Sequence, residues 1–276
     1  MPGEKITIAR WERDRCRPET DRLAVEEPLE IRVEYFFKAQ RQVITLGLTL
    51  RTPGHDHDLA RGLLFSEGWI ERAADIVTIV EQEGAVLVSL REGVEPPGST
   101  KRHQLRSSAC GLCGREELPE LPEERERPRV EVSIETLYAL PEKLRLVQAA
   151  FQVSGALHAA ALFTLAGEPL AIREDVGRHN ALDKLVGHCL EAGRWPLAEY
   201  IVLLSGRAGY ELLQKCAAAN TTVVAALGAP STMAVDLARR QEITLIGFLR
   251  EGRCNVYTHS GRVLAASPDS AIVESS

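Results

Sequence analysis

Apolar and polar positions alternate with a period of two through the first third of the chain. Leu29, Ile31 and Val33 are separated by Glu30 and Arg32, and Ile44, Leu46, Leu48 and Leu50 are separated by Thr45, Gly47 and Thr49. Such alternation turns one face of a strand to a core and the other to water, so both stretches are predicted strands. Residues 76–80 and 85–90 are apolar and flank Glu81-Gln82-Glu83-Gly84, the pattern of a hairpin. Between these pairs, 58–67 predicts a helix with Leu59, Leu63 and Leu64 on one side and Gly68 as its stop.

Beyond residue 140 the spacing changes. A helix is predicted to open at Pro141 or Glu142 and run to about Phe151, and 157–172 reads as two strands turning at Ala166-Gly167-Glu168. Over 180–191 the apolar positions are 181, 182, 185, 186, 189 and 190, which is a helix with one buried face. Strands over 200–204, 222–227 and 243–248 then alternate with helices over 210–219 and 232–241. Units of this length imply right-handed crossovers and a parallel core.

In a parallel sheet, ligands bind beyond the carboxyl ends of the strands. Those ends carry Ser205-Gly206-Arg207, Gly228-Ala229-Pro230-Ser231, and the run from Arg250 to Cys254, Asn255, Val256, Tyr257, Thr258 and His259. Ser231 is a suitable N-cap, and a helix N-terminus with Arg207 and Arg250 would suit phosphate groups. The plainer alternative is ordinary loop glycines and solvated arginines.

Composition narrows the class. A chain of 276 residues, 45% hydrophobic, can bury a full core and is long enough for two domains. Its net charge of −6 gives no global attraction to nucleic acid or to an anionic membrane surface. No apolar run approaches the roughly 20 residues that span a bilayer. The start, with its charged stretch Arg10-Trp11-Glu12-Arg13-Asp14-Arg15, lacks the apolar core of a secretory signal, so a cytoplasmic protein is expected. Residues 115–129 are dominated by Glu, Arg and Pro and read as a flexible, solvated linker. The expected organisation is a strand-rich domain over 1–114, a charged linker over 115–130, and an α/β domain over 131–276.

Of six cysteines, four are scattered, which does not resemble a disulfide scaffold. The other two, Cys110 and Cys113, form a close pair with Gly111 and Gly114, and Lys101, Arg102, His103 and Arg106 stand upstream. A positive field of this kind lowers a thiol pKa and favours the reactive thiolate. Structural zinc would need four ligands, and a second pair is missing. Thioredoxin-like exchange would place the pair between a strand and a helix, whereas a Glu- and Pro-rich stretch follows it here. A buried structural pair sits poorly with such polar surroundings. Zinc deaminases combine His-x-Glu with a later Pro-Cys-x-x-Cys; here His158-Ala159-Ala160 lacks the Glu and follows the cysteines, which removes deamination as an activity. A sulfur carrier is the further option, since a thiolate can take up a sulfane sulfur as a persulfide and pass it on.

Taken together, the motifs resemble the formate dehydrogenase accessory sulfurtransferase family, FdhD. The resemblance rests on Ser107-Ser108-Ala109-Cys110-Gly111-Leu112-Cys113-Gly114, Arg51-Thr52-Pro53-Gly54, Ser66-Glu67-Gly68, residues 155–162, and the run from Glu174-Asp175-Val176-Gly177-Arg178-His179-Asn180 to Leu185. Ser205-Gly206-Arg207-Ala208, Gly228–Ser231 and Cys254–His259 complete it, in family order. It implies a cytoplasmic homodimer whose C-terminal, three-layer domain is similar to the cytidine-deaminase fold. It further implies that Cys110 carries a persulfide received from a cysteine desulfurase. The sulfur would pass to the molybdenum bis(molybdopterin guanine dinucleotide) cofactor, held as a substrate, before formate dehydrogenase receives it. Contact with that cofactor maps to Cys254–His259, and no permanently bound metal is implied.

Two positions depart from the family pattern: Gly209 stands where a small hydroxyl residue is expected, and Cys254 where an aromatic is expected. A chaperone that delivers the cofactor without moving sulfur is the alternative function. His179 and Asp183, four apart, share a helix face. A packing role and a role near the cofactor are both open for His179, and Arg178 could meet a phosphate or cap a neighbour. His55 and His57 read as a solvated N-terminal turn.

Overall fold

The computed structural model describes residues 3–94, 96–97, 127–148, 151 and 155–265. Cys110, Cys113 and most of the linker expected over 115–130 lie outside the described residues. The chain divides into two compact units that alternate along the sequence. One takes in Met1–Glu117, Gln148–Ala159 and Arg173–His188; the other takes in Leu118–Val147, Ala160–Ile172 and Cys189–Ser276.

The first unit is built on a four-stranded sheet in the order β4-β3-β6-β5, from β3 (Glu27–Phe37), β4 (Gln40–Arg51), β5 (Ile76–Gln82) and β6 (Ala85–Leu90). β3 pairs antiparallel with β4 and parallel with β6, and its alternation is as read: Leu29, Ile31 and Val33 are all buried. In β4 the alternation misleads. The pairing slips between Ile31 and Arg32, leaving Leu46 as an extra residue opposite β3. A bulge of one residue reverses the facing of everything after it. Leu48 and Leu50 therefore point outward, while Thr49 and Arg51 turn in, where Arg51 donates to both carboxylate oxygens of Asp56 at 3.0 and 2.8 Å.

A two-stranded ribbon, β1 (Glu4–Glu12) and β2 (Arg15–Leu23), precedes this sheet and was not foreseen. Both of its faces are largely exposed, so no buried face marks its sequence.

Two helices of the first unit cross backbone to backbone. These are α1 (Asp56–Ser66) and the part of α3 (Arg178–Glu191) that ends at His188. A Cβ on Gly62 would lie 1.8 Å from the Asp183 carbonyl oxygen, and one on Gly187 would lie 1.9 Å from that of Asp58. Next to this crossing, Lys184 and Asp175 form an ion pair of 2.7 Å with side chains 1% and 0% exposed.

The second unit holds most of a six-stranded sheet in the order β13-β12-β11-β10-β8-β9. Its strands are β8 (His158–Thr164), β9 (Pro169–Asp175), β10 (Tyr200–Leu204), β11 (Val223–Ala226), β12 (Thr244–Arg250) and β13 (Arg253–Val256), while the short β7 (Val132–Ser133) pairs with β14 (Val263–Leu264) outside it. β10, β11 and β12 are mutually parallel, as expected, but β8 and β13 flank them antiparallel, so the sheet is mixed. Val223, Val224, Ala225 and Ala226 are fully buried, the signature of a central strand covered on both faces. The helices α4 (Tyr210–Ala218) and α5 (Thr232–Arg240) follow β10 and β11.

One helix begins earlier than its sequence suggests. α2 runs Ile134–Val147, with Pro141 inside it rather than at its start. The start signal is Ser133, whose Oγ accepts the Thr136 amide at 3.1 Å. Burial of Leu137, Leu140 and Leu144 holds the helix together across the proline. Among the described residues no helix is long and apolar enough to cross a membrane.

The crossing at Gly62 and Gly187 leaves no room for a methyl group. Gly62→Ala is therefore expected to lower stability by at least about 3 kcal/mol, the upper range for overpacking. Chemical denaturation measures this directly, and a loss below about 1 kcal/mol would contradict the packing described.

Candidate functional site at the strand ends

The carboxyl ends of β10 and β11 continue into two loops, 205–209 and 227–231, that are stitched together by their backbones. Leu227 N donates to Leu204 O at 2.9 Å, Gly228 N to Gly206 O at 2.9 Å, Ala208 N to Ala229 O at 3.1 Å, and Ser231 N to Ala208 O at 3.1 Å. Close approach requires glycine at 228, where a Cβ would sit 2.8 Å from Gly206 O and 2.9 Å from Arg207 N. Ser231 is the N-cap of α5, its Oγ accepting the Ala234 amide at 3.3 Å. Arg207 and Ser231 are both exposed at the two loops.

β12 closes the third side. Its pairing with β13 is irregular between Gly247 and Arg250, and Phe248 there adopts φ 51°, a left-handed conformation that bulky residues rarely enter. The Phe248 amide is spent on Gly228 O at 3.0 Å, and the residue is left 46% exposed. Gly247 lies beneath neighbours on both sides: a Cβ would meet Pro230 Cδ at 2.8 Å and Tyr257 Cε2 at 3.0 Å. Arg250 Nη1 donates to the carbonyls of Leu227 and Leu249, both at 2.7 Å. Asn255 Nδ2 reaches Tyr257 Oη at 3.4 Å.

Arg207, Ser231, Phe248, Arg250, Asn255 and Tyr257 thus gather at one end of the sheet. An exposed aromatic face beside guanidinium groups and a helix N-terminus can stack a planar base and hold phosphates. Cys254 is half-buried beside them, and burial pushes its thiol pKa up, so it stays protonated at neutral pH and is a poor nucleophile.

The last two residues of the expected cofactor segment are elsewhere. β13 returns antiparallel to β12, with Asn255 opposite Gly247 and Val256 opposite Ile246. Thr258 is buried beside the amino-terminal part of β12: its Oγ1 donates to Ile243 O at 2.6 Å and accepts the Leu245 amide at 2.9 Å. The His259 ring meets Arg239 O at 3.3 Å, and its carbonyl accepts Thr244 Oγ1 at 3.3 Å. At about 3.3 Å per residue, the five steps from Cys254 to His259 carry the chain roughly 16 Å along the sheet.

The FdhD/NarQ family model matches residues 24–264, nearly the whole chain. The chain belongs to the FdhD/NarQ family. Among its relatives, the sulfur carrier protein FdhD of Nocardia farcinica is 43% identical over 261 residues, 90% of each chain. That of Sulfurisphaera tokodaii is 41% identical over 265 residues, covering 96% of this chain and all of the relative. A crystal structure from Desulfotalea psychrophila, provisionally assigned as a formate dehydrogenase accessory protein, superposes with a TM-score of 0.74 at 20% identity. It covers 96% of this chain and all of that one, and shows a shared fold.

In this FdhD/NarQ chain the sequence pattern points to Arg250, paired with Arg207 as suited to phosphate, but not to Phe248, whose useful property is a backbone angle. The Gly247-Phe248 dipeptide at a strand end was the one available signal, because glycine there marks close backbone approach. The motif run 174–185 belongs to the first unit and is largely structural: Asp175, Asn180, Asp183 and Lys184 are buried, and Asp183 Oδ1 accepts Ser66 Oγ at 2.9 Å. His158 and His179 come near each other there. Burial first, then Arg178 and His179, lowers the His158 pKa and favours its neutral ring.

Thr258→Val keeps the shape of that side chain and removes a hydroxyl that both donates and accepts. A loss of about 1–3 kcal/mol is expected from the buried groups left unpaired. Chemical denaturation of the variant beside the wild type measures this loss.

Proposed function

We propose that this chain is a sulfur carrier of formate dehydrogenase maturation, working in the cytoplasm as a homodimer. The observation that carries the reading is the match along 24–264, together with relatives named sulfur carrier protein FdhD that align over 90% or more of the chain. The cysteine pair supplies the chemistry. Cys110 thiolate attacks the terminal sulfur of a cysteine desulfurase persulfide; the donor's S–S bond breaks, the donor leaves as a thiolate, and Cys110 becomes the persulfide. Attack of the Cys113 thiolate on the Cys110 sulfur would then form a disulfide and release the terminal sulfur as hydrosulfide to an acceptor.

The acceptor in this reading is the molybdenum bis(molybdopterin guanine dinucleotide) cofactor, bound as substrate at the strand ends. Its guanine would stack on Phe248, with its phosphates near Arg207, Ser231 and Arg250. Cys254, Asn255 and Tyr257 would border the same ligand, while Val256, Thr258 and His259 would hold the edge strand in place. Delivery of the cofactor without sulfur transfer is the second reading, supported by a strand-end cluster that needs no cysteine of the pair.

Two experiments decide these points. After incubation with a cysteine desulfurase and cysteine, mass spectrometry should find Cys110 heavier by one sulfur, and Cys110→Ala should abolish formate dehydrogenase activity in cells. Full activity with Cys110→Ala would leave the delivery reading standing alone. For the ligand, GDP titration should show binding that weakens about tenfold or more in Phe248→Gly, the loss of one stacking contact. That same variant relieves the left-handed φ, so its Tm should hold or rise while affinity falls. Equal affinity in both proteins would remove Phe248 from the site.

A further inference from the structure

The hairpin that joins β12 to β13 sets two arginines against each other. Arg250 and Arg253 are directly opposite across the antiparallel pair and flank the two-residue turn Glu251-Gly252. Residues so placed hold their Cβ atoms about 5 Å apart on one face, where like charges destabilise the sheet. The irregularity in β12 creates the opposition. Asn255 lies opposite Gly247, so between the two pairs β12 contributes Phe248 and Leu249 where β13 contributes only Cys254. That extra residue returns Arg250 to the face of Gly247. On β13, Arg253, Asn255 and Tyr257 alternate onto the same face: Asn255 Nδ2 reaches Tyr257 Oη at 3.4 Å, and the Tyr257 ring borders Gly247.

This face adjoins the strand-end loops. Arg250 Nη1 donates to Leu227 O at 2.7 Å, and the next residue, Gly228, packs against the backbone of Arg207. Arg207, Arg250 and Arg253 are all exposed, and all belong to the second unit. Among the described residues no carboxylate lies within ion-pair distance of any of the three, Glu251 in the turn itself included. An arginine opposite an acid would close this hairpin better than two arginines do. The arrangement is unfavourable as a hairpin and favourable around an anion.

We propose that Arg250 and Arg253 form a pincer for one phosphate of a nucleoside diphosphate, with Arg207 beside it on the neighbouring loop. The ligand's identity rests on the reading of the strand ends as a guanine-nucleotide site. Each guanidinium is a planar fork whose N–H groups donate in pairs to phosphate oxygens. Arg250 is already oriented by its bond to Leu227 O, so it loses less freedom when it binds. A phosphate between the two side chains also cancels the repulsion they exert on each other.

Calorimetry on the full chain at low ionic strength, where such contacts are least screened, tests this with GDP and with inorganic pyrophosphate. Both are expected to bind the wild type, and Arg253→Gln should weaken each about tenfold, the loss of a hydrogen bond between charged groups. Arg240→Gln removes the same charge at the far end of α5 and should change neither affinity. The Tm of ligand-free Arg253→Gln should hold or rise, because a like-charge opposition is gone. Pyrophosphate bound equally by Arg253→Gln and the wild type overturns the pincer, as does an equal loss in Arg240→Gln or a fall in Tm that makes Arg253 structural. Pyrophosphate binding that depends on Arg253, without any binding of GDP, would uphold the pincer and overturn the guanine reading. GDP bound equally by Arg253→Gln and the wild type would do the reverse, and a wild type that binds neither probe overturns both.

Discussion

Much of the first unit is organised around the contact of Lys184 with Asp175. Lys184 Nζ also donates to Thr52 O at 2.8 Å, and the Thr52 amide returns to Asp175 Oδ2 at 3.1 Å. Asp175 Oδ1 accepts the Gly177 amide at 2.9 Å and Asn180 Nδ2 at 3.1 Å, and Asn180 in turn donates to Leu50 O at 2.8 Å. Thr52 Oγ1 takes the Val176 amide at 3.1 Å. Burying two such charges costs several kcal/mol each, and pairs of this kind add little net stability over apolar side chains of equal volume. What this pair does is fix geometry. It clamps the end of β4 to the turn that opens α3, and so sets where the α1 crossing must occur.

The bulge in β4 serves the same clamp. Without its extra residue, Leu48 and Leu50 would face the core, and Thr49 and Arg51 would face water. The reversal brings Thr49 to Asn180 and Arg51 to Asp56 and Glu27. This explains why a clean alternation over 44–50 gave the strand but the wrong facing: a bulge is a property of pairing between strands, and one strand's sequence does not carry it.

Elsewhere, legibility tracked how strongly burial constrained each segment. β3 and the strand–helix alternation from Tyr200 onward were readable because central strands and one-sided helices leave periodic apolar positions. The ribbon β1–β2 was not, since neither of its faces is buried. α2 was shortened because Pro141 read as a start while the Ser133 cap went unnoticed. The strand-end loops were located by topology alone: Arg207 and Ser231 stand on them, and Asn255 lies opposite Gly247 of the neighbouring strand. Thr258 and His259 were grouped with them because nothing in the sequence announces that β13 turns back along β12. Phe248 illustrates the opposite case: its aromatic character is plain in the sequence, but the left-handed backbone that leaves the residue exposed arises from the bulge and from the contact with Gly228.

The alternation of the two units along the chain bears on synthesis. Lys184 is 132 residues from its partner Thr52. At about 5–20 residues per second, the ribosome delivers that lysine roughly 7–26 seconds after the threonine. During that interval β3 and β4 exist without the clamp, and Thr49 and Thr52 lack their partners Asn180, Asp175 and Lys184, which have not yet been made. Residues 118–147 and 160–172, which belong to the second unit, emerge in between. Neither unit can therefore finish before the other has begun, and the first unit reaches its native packing only after His188 has left the exit tunnel.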